Sequence, residues 1–315
     1  MDILVTGARG KVGAATVHDL LEAGHRVTGC DLIAPVYEGG NRGAHYFQAD
    51  LTDPGDAFAA VRGADVVIHC AALPEPTRNA PHKVFGNNVM ATFNLVEACV
   101  RVGVDRIVNV SSETVAGMGF AERLFHAPSA PIDETLENRP QDPYALAKVF
   151  GEQLMDAAVA RSDLRALTIR PTWVQWEGNY ERSLTPWLRD PLGGDPSVNF
   201  WSYVDVYDLA HALRLAAESS LDGHHVMYVS AADNGAGRPL GELIAHHYGA
   251  EVSVGALARE DASGITSAKA ERLIGYRPTR SWRDYLSPDG ALLEPARERL
   301  TSGQTGVQLG RVALS

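Results

Sequence analysis

The first half of the chain alternates short apolar runs with segments of helical periodicity. Apolar runs that predict buried strands lie at residues 3–5, 25–29, 46–48, 65–69, 106–110 and 166–170. Between them, apolar positions recur at helical spacing and predict helices at 12–23, 57–61, 81–102 and 143–160. Strands that alternate with helices in this way predict the α/β class, with a Rossmann-type doubly wound parallel sheet.

After residue 171 the alternation becomes less regular. The elements predicted there are strands at 199–204 and 225–230 and helices at 205–219 and 240–248. We expect a Rossmann domain over residues 1–171 and a smaller substrate-binding lobe mainly over 172–286, with some of its elements returning to the large domain. The apolar period is lost after about residue 287, so residues 287–315 are predicted to be a C-terminal tail. A ligand would then bind in the crevice at the carboxyl ends of the strands.

Composition narrows the partners of the protein. The 315 residues carry a formal charge of −11, which argues against nucleic acid, because phosphates bind surfaces rich in Lys and Arg. Cys30, Cys70 and Cys99 have neither metal nor disulfide spacing, so we expect no metal and a cytoplasmic protein. The chain starts with a strand pattern rather than a signal segment, and no apolar run approaches ~18 residues, so no contact with a membrane is expected.

A glycine-rich turn follows the first predicted strand. Gly7, Gly10 and Gly13 open the first helix, and this spacing suits the tight turn, the close approach of a diphosphate and the helix–strand contact of a dinucleotide site. Asp31 ends the second strand, eighteen residues beyond Gly13. A carboxylate there binds a ribose 2′-hydroxyl and repels a 2′-phosphate, which favours NAD over NADP. Arg9 in the turn leaves NADP open, because a guanidinium would offset that repulsion.

Three further residues form a pattern for proton transfer. Tyr144 and Lys148 lie four apart on a predicted helix, and so on one face of it, and Ser112 ends a strand about thirty residues upstream. A neighbouring ammonium favours a phenolate, so we expect the pKa of Tyr144 to lie well below its ordinary ~10. Together with a dinucleotide site, this predicts hydride transfer at a carbinol carbon, with Ser112 holding the reacting oxygen.

The glycine turn, the Ser/Tyr/Lys pattern and the closing segment 267–276 resemble the extended short-chain dehydrogenase/reductases, the NAD-dependent epimerase/dehydratase group, across roughly residues 1–286. The resemblance implies that Asp50 and Leu51 contact adenine, that Ala71 and Ala72 line the cofactor, and that Asn88 is a structural and cofactor-side residue. The complete set of expected cofactor contacts is Gly7, Arg9, Gly10, Lys11, Val12, Gly13, Asp31, Asp50, Leu51, Ala71, Ala72, Asn88, Val110, Ser111, Tyr144, Lys148, Pro171 and Thr172.

Departures from the group's patterns bear on the chemistry. Dehydratases of the group carry an acidic base where this chain has Thr114, and a threonine hydroxyl is not basic enough for elimination. Glu113 is either a solvated loop carboxylate or a substrate contact. Nucleotide-sugar epimerases share an Asn and an Arg that offer donors to the diphosphate. This chain resembles them around both positions but has Trp173 and Trp201 there, so both donors are missing. The two indoles predict either a smaller, apolar or sugar-stacking pocket or ordinary core packing.

These departures favour an NAD-dependent oxidoreductase for a small polar alcohol or its carbonyl, a sugar or sugar acid without a nucleotide. The segment after the sixth strand is similar to uronate dehydrogenases, which implies that Arg182 binds a carboxylate, and Gln175 is a further candidate for the pocket wall. The complete set of expected substrate contacts is Ser112, Glu113, Trp173, Gln175, Arg182 and Trp201. A nucleotide-sugar 4-epimerase that keeps its NAD, and a non-catalytic NAD sensor, are the alternatives.

The family resemblance also implies an oligomer. Members pair two long helices from each subunit in a four-helix bundle, and here these are the helices at 81–102 and 143–160. Val149, Leu154 and Ala158 offer apolar surface beyond the face of Tyr144 and Lys148. We therefore expect a homodimer.

Overall fold

The computed structural model describes residues 1–34 and 43–302, and the side chains of these up to residue 300. Its strands are β1 (Asp2–Thr6), β2 (Arg26–Asp31), β3 (His45–Gln48), β4 (Val66–His69), β5 (Arg106–Val110), β6 (Ser129–Ala130), β7 (Arg165–Pro171), β8 (Trp173–Gln175), β9 (Tyr203–Asp205), β10 (His224–Val229) and β11 (Ser253–Val254). Its α-helices are α1 (Lys11–Glu22), α2 (Pro54–Val61), α3 (Pro81–Val102), α4 (Pro143–Val159), α5 (Tyr180–Arg189), α6 (Val206–Glu218), α7 (Leu240–His247), α8 (Ala268–Ile274) and α9 (Glu294–Ser302).

Seven strands form one parallel sheet in the order β3-β2-β1-β4-β5-β7-β10. The predicted doubly wound fold is therefore confirmed. The chain adds β2 and β3 on one side of β1 and then crosses to β4 on the other side. This reversal opens a crevice at the carboxyl ends of β1 and β4, which is where open α/β sheets bind ligands.

Two cores cover the two faces of the sheet. Alternate residues of β1 point to opposite faces, so Ile3 and Val5 join a core formed with α1 and α6, whereas Leu4 joins a core formed with α2, α3 and α4. Among the described residues no helix combines the length and the apolarity needed to cross a bilayer.

Local sequence signals explain where the helices that carry the site begin and end. Helix α3 starts with Pro81 and ends before Gly103, which has the left-handed φ of 81° typical of a helix C-terminus. Asp142 caps α4, because its Oδ1 accepts from the N–H groups of Tyr144 and Ala145 at 2.9 Å. The predicted bounds of α3 and β5 agree with the structure, and the other predicted elements of the first half differ from it only at their ends.

The second half forms the smaller lobe and also returns to the sheet. Strand β10 pairs with β7, and α6 packs against α1. One core of the lobe centres on Phe200, Trp201 and Tyr228, and another joins α5 to Trp282. Two small parallel sheets, β6 with β11 and β8 with β9, complete the lobe.

The structure differs from the sequence-based expectation in two segments of this half. The predicted strand at 199–204 is mostly a turn, in which Phe200 and Trp201 have φ of 52° and 57°, and only β9 is extended. The predicted tail from 287 is ordered through residue 302, because Leu292 pairs with Leu286 and Ala296 of α9 is buried. Only one side chain in three or four of this segment is apolar. The sequence therefore shows no clear helical period there, and α9 was not predicted. Residues 303–315 of the predicted tail lie outside the described residues.

Candidate active site

The glycine turn packs against the neighbouring strand end. Gly7 has φ of +63°, and a Cβ there would lie 2.8 Å from the backbone of Ala71, just beyond β4. A Cβ on Gly13 would lie 2.1 Å from the carbonyl oxygen of Gly7. Both positions therefore require glycine, and the backbone of the turn stays uncovered by side chains, as a bound diphosphate requires.

The N-terminus of α1 offers free donors at this turn. Gly10 is the N-cap and supplies no side-chain cap, and the first turn, with Lys11 and Val12, holds no acidic residue. The Nζ of Lys11 lies 5.2 Å from the ring centroid of Trp176, and burial lowers the pKa of Lys11. Uncapped amides, the helix dipole and a partly desolvated ammonium fit the diphosphate of a dinucleotide.

The predicted ribose carboxylate stands beside the turn. Oδ2 of Asp31 accepts from the N–H of Arg9 at 3.0 Å, and its Oδ1 accepts from the N–H of Ile33 at 3.2 Å. Burial raises the pKa of Tyr46, and the charge of the nearby Arg9 works in the opposite direction. Asp31 is thus held at the end of β2, and the Arg9 side chain lies towards Tyr46.

The residues expected around the adenine and along the cofactor lie in the loops that follow β3 and β4 or hold these loops in place. Asn88 is buried and holds both backbone groups of Leu73: its Oδ1 accepts from the N–H at 2.8 Å and its Nδ2 donates to the C=O at 3.0 Å. This fixes the loop that contains Ala71 and Ala72. In the other loop Asp50 is exposed and Leu51 is buried in the core.

The predicted proton-transfer residues meet at the end of β5. Ser111 and Ser112 follow the strand, and Ser112 caps the short 3-10 helix Glu113–Ala116. The Oγ of Ser112 accepts from the N–H of Thr114 at 3.1 Å and from its hydroxyl at 3.0 Å. Its own proton is therefore free to donate, and the phenol of Tyr144 is hydrogen-bonded to it. Thr114, where dehydratases carry a base, is engaged in holding Ser112.

The expected low pKa of Tyr144 is wrong. The pKa of Tyr144 is raised to about 12, mainly by burial and also by the charges of Asp142 and Glu113, and the hydrogen bond from Ser112 only partly offsets this rise. The ammonium of Lys148 lies 5.6 Å from the Tyr144 ring centroid and donates to the carbonyl oxygen of Val110 at 2.6 Å. The nearby ammonium is visible in the sequence, whereas the desolvation of the phenol, which is the larger effect, depends on the folded structure.

Lys148 is itself shifted by the same burial. Its pKa is lowered to about 8, with the charges of Cys70 and Glu152 acting in the opposite direction. The two shifts keep Tyr144 protonated and bring the titration of Lys148 towards neutrality, and perturbed pKa values of this kind are typical of groups that exchange protons.

A buried ion pair supports these residues, and the sequence analysis missed it. Arg170, in β7, donates from Nε and Nη2 to the two carboxylate oxygens of Glu152, in α4, at 2.8 and 2.6 Å. Oε1 of Glu152 also accepts from the hydroxyl of Ser111 at 2.6 Å. A signal for it was present, since Tyr144, Lys148 and Glu152 follow one another at intervals of four on a single helix face.

His69 is a second buried group that the sequence analysis did not use. Its ring nitrogens pair with the hydroxyls of Thr6 at 2.8 Å and Thr92 at 3.1 Å, and burial lowers its pKa to about 3. The hydroxyl of Thr6 also accepts from the N–H of Ala71 at 3.2 Å. A neutral His69 therefore joins the ends of β1 and β4 beneath the glycine turn.

The residues expected to bind substrate are not all brought together. Glu113 is partly buried beside Ser112, and Trp173 is 40% exposed, with its ring 5.4 Å from that of Trp187. Pro171 and Thr172, expected at the cofactor, are buried just before Trp173 at the end of β7.

The remaining three do not face an open pocket. Trp201 is 1% exposed and belongs to the core of the smaller lobe. Of the two alternatives for this residue, a pocket wall or core packing, the structure therefore agrees with core packing. Gln175 is fully buried, with its Nε2 unpaired among the described residues and its Oε1 accepting from Asn179 at 2.9 Å. Arg182 is exposed on α5, on a different side from the buried face of that helix.

The fold and the glycine turn define the class of dinucleotide-dependent enzymes built on a Rossmann sheet, here with a Ser, a Tyr and a Lys brought together beside the turn. The chain belongs to the NAD dependent epimerase/dehydratase family, whose model matches residues 3–229. NAD is accordingly its cofactor, and the resemblance to the extended short-chain dehydrogenase/reductases is confirmed.

Characterised relatives cover nearly the whole chain. A dTDP-4-dehydrorhamnose reductase of Mycobacterium tuberculosis is 30% identical over 93% of both chains. An L-arabinose 1-dehydrogenase (NAD(P)(+)) of Haloferax volcanii is 31% identical over 88% of this chain and 95% of the relative. Among solved structures, MoeE5 in complex with UDP-glucose and NAD has a TM-score of 0.68 and 25% identity, and covers 96% of this chain and 100% of MoeE5. The family thus includes sugar-related reductases, dehydrogenases and epimerases.

Proposed function

We propose that the protein is an NAD-dependent oxidoreductase that acts on a small polar alcohol or its carbonyl, a sugar or sugar acid without a nucleotide. The convergence of Ser112, Tyr144 and Lys148 beside the glycine turn is the observation that carries this proposal. The similarity to an L-arabinose 1-dehydrogenase supports a free sugar as the substrate.

In this proposal the reacting hydroxyl lies between Ser112 and Tyr144. Ser112 donates to its oxygen, because the Oγ of Ser112 already accepts two bonds from Thr114 and its one proton, directed at Tyr144 in the structure, can turn to the substrate oxygen. In oxidation the Tyr144 oxygen takes the hydroxyl proton as its own proton passes to the neutral form of Lys148, and both transfers run in reverse in reduction. Lys148 stabilises the phenolate form, and contacts the nicotinamide ribose. NAD, when bound, supplies the hydride acceptor.

Two observations argue for a substrate without a diphosphate. Nucleotide-sugar epimerases share an Arg at the position that Trp201 occupies in this chain. Trp201 is buried in the core of the smaller lobe. The guanidinium groups of Arg238, Arg259 and Arg283 in the lobe are each paired with a carboxylate. A diphosphate needs charge-assisted donors, each worth roughly 1.5–3 kcal/mol.

The second candidate is a nucleotide-sugar 4-epimerase that keeps its NAD bound. The extent of the similarity to MoeE5, a protein solved with UDP-glucose, favours it. An epimerase would purify with NAD and interconvert UDP-glucose and UDP-galactose without added cofactor. We expect neither of these results, and we expect no micromolar binding of either nucleotide sugar by calorimetry.

The proposal is tested by incubating the protein with NAD and a panel of aldoses, uronic acids, simple alcohols and nucleotide sugars, read by the absorbance of the reduced cofactor. We expect turnover of at least one free sugar or sugar acid, and none by Tyr144→Phe. Turnover confined to nucleotide sugars would contradict the proposed substrate class, and equal rates in Tyr144→Phe would contradict the proton-transfer assignment.

We further propose a homodimer formed through α3 and α4, in the cytoplasm. The exposed apolar side chains Met90 and Phe93 on α3 and Leu146 and Phe150 on α4 support the dimer. Ala158, expected on this surface, is instead fully buried in the core. The three cysteines are unpaired, which agrees with a reducing compartment.

A further inference from the structure

Glu113 is held by the smaller lobe. Both of its carboxylate oxygens lie within hydrogen-bond distance of the side-chain Nδ2 of Asn199, at 3.1 and 3.0 Å. The backbone N–H of Trp173 also donates to the carboxyl group. These partners come from different segments of the chain, and all of them are donors. The carboxyl group of Glu113 is therefore oriented as a hydrogen-bond acceptor.

A strained turn holds the Asn199 side chain in place. Phe200 and Trp201, the next two residues, both have left-handed φ values, which are costly for aromatic residues. The Oδ1 of Asn199 accepts from Ser197 at 2.8 Å, and its Nδ2 also donates to the C=O of Ser202 at 2.9 Å. Strain of this kind persists only where the surroundings enforce it, and here the buried rings of Phe200 and Trp201 do so.

Glu113 also lies close to the proton-transfer residues. It follows Ser112 directly, and its charge raises the pKa of Tyr144, in α4, and of Tyr228, in β10. Within the described part of the chain, the groups that interact with Glu113 are these two tyrosines, Asn199 and the N–H of Trp173. A substrate whose reacting hydroxyl lies between Ser112 and Tyr144 therefore brings a neighbouring substituent to Glu113.

The surroundings of Glu113 do not suit a second negative charge. Burial raises its pKa to about 8, against the hydrogen bonds from Asn199 and Trp173. A substrate carboxylate at this point would require one of the two acids to take up a proton. No compensating cation is supplied by Arg182, which is exposed elsewhere on α5.

We propose that Glu113, oriented by Asn199, is the specificity-determining residue of the site, accepting a hydrogen bond from a second substrate hydroxyl and disfavouring a substrate carboxylate. This inference rests on the proposed function and narrows it to a neutral polyhydroxylated substrate, an aldose rather than a sugar acid.

The test compares kcat/KM for an aldose and its matching uronic acid in the wild type, in Glu113→Gln and in Glu122→Gln. The control removes one exposed carboxylate from the neighbouring loop and so matches the change in net charge. We expect the wild type to prefer the aldose at least tenfold at pH 9, Glu113→Gln to reduce this preference at least tenfold, and the control to keep it within twofold. An unchanged ratio in Glu113→Gln would overturn the inference and leave the oxidoreductase proposal intact.

A second measurement does not depend on the folding of that variant or on turnover. The NAD-loaded Tyr144→Phe protein, in which Glu113 is intact, is titrated with both sugars by calorimetry between pH 7 and 9. We expect the affinity for the uronic acid to fall up to tenfold per pH unit above about 8, because Glu113 ionises there, and the affinity for the aldose to change less than twofold. Equal pH dependence of the two sugars would contradict the inference. Failure of every free sugar and sugar acid of the panel to turn over in the wild type would contradict the proposed function separately.

Discussion

The buried ion pair between Arg170 and Glu152 makes a sharp prediction about stability. Replacing Arg170 by Met preserves much of the side-chain volume and leaves the Glu152 carboxylate buried, with Ser111 as its remaining hydrogen-bond partner among the residues that the structure describes. Removing one member of a buried pair typically costs about 3–5 kcal/mol, because the remaining charge loses its compensation in a medium that solvates it poorly. We expect Arg170→Met to lose that amount of unfolding free energy.

Urea denaturation followed by circular dichroism measures the loss. With an unfolding entropy of about 2.1 cal/mol/K per residue over some 300 residues, the same loss lowers Tm by about 5–8 °C. Arg277→Ala is the matched control, because Arg277 pairs with Glu271 on the surface, where both side chains are more than half exposed. The control is expected to lose less than about 1 kcal/mol.

The double variant Arg170→Met/Glu152→Leu completes the cycle. Removing the stranded carboxylate restores part of the loss, so the two changes together cost less than the sum of the single changes, by about 2–3 kcal/mol. Recovery stays incomplete, because Ser111 and Asn138 lose partners in the double variant. Additive single effects, or a loss below about 1 kcal/mol in Arg170→Met, would refute the reasoning about the buried charge.

Three further predictions concern the active site and the surface. Tyr144→Phe is expected to lower the rate ~10²–10⁴-fold with NAD affinity unchanged by calorimetry, since only the proton carrier is lost; a rate within a few-fold of wild type would remove Tyr144 from the mechanism. The wild type is expected to bind NAD more tightly than NADP, and Asp31→Ala to narrow the gap; tighter NADP binding by the wild type would show that Arg9 dominates. The wild type is expected to be a dimer by light scattering at micromolar concentration, and Phe150→Asp a monomer; a monomeric wild type would contradict the dimer.

The sequence determined the large domain because the signals there are local. Strand and helix periodicity is a property of adjacent residues, and it predicted the parallel sheet and the bounds of α3 and β5; Pro81 at the start of α3 and Gly103 after it are local signals of the same kind. The spacing of Gly7, Gly10 and Gly13 likewise depends on one turn, so the dinucleotide class followed from it.

The tertiary structure decided what depends on contacts between distant segments. Trp173 and Trp201 carry the same indole, yet one is exposed beside Trp187 and the other is enclosed by the smaller lobe, and no local pattern separates them. Asn199 reaches Glu113 only because a left-handed turn, which its sequence does not predict, directs it there. The pKa of Tyr144 moved against expectation because a sequence shows a neighbouring charge and conceals burial, and desolvation is the larger effect at this site.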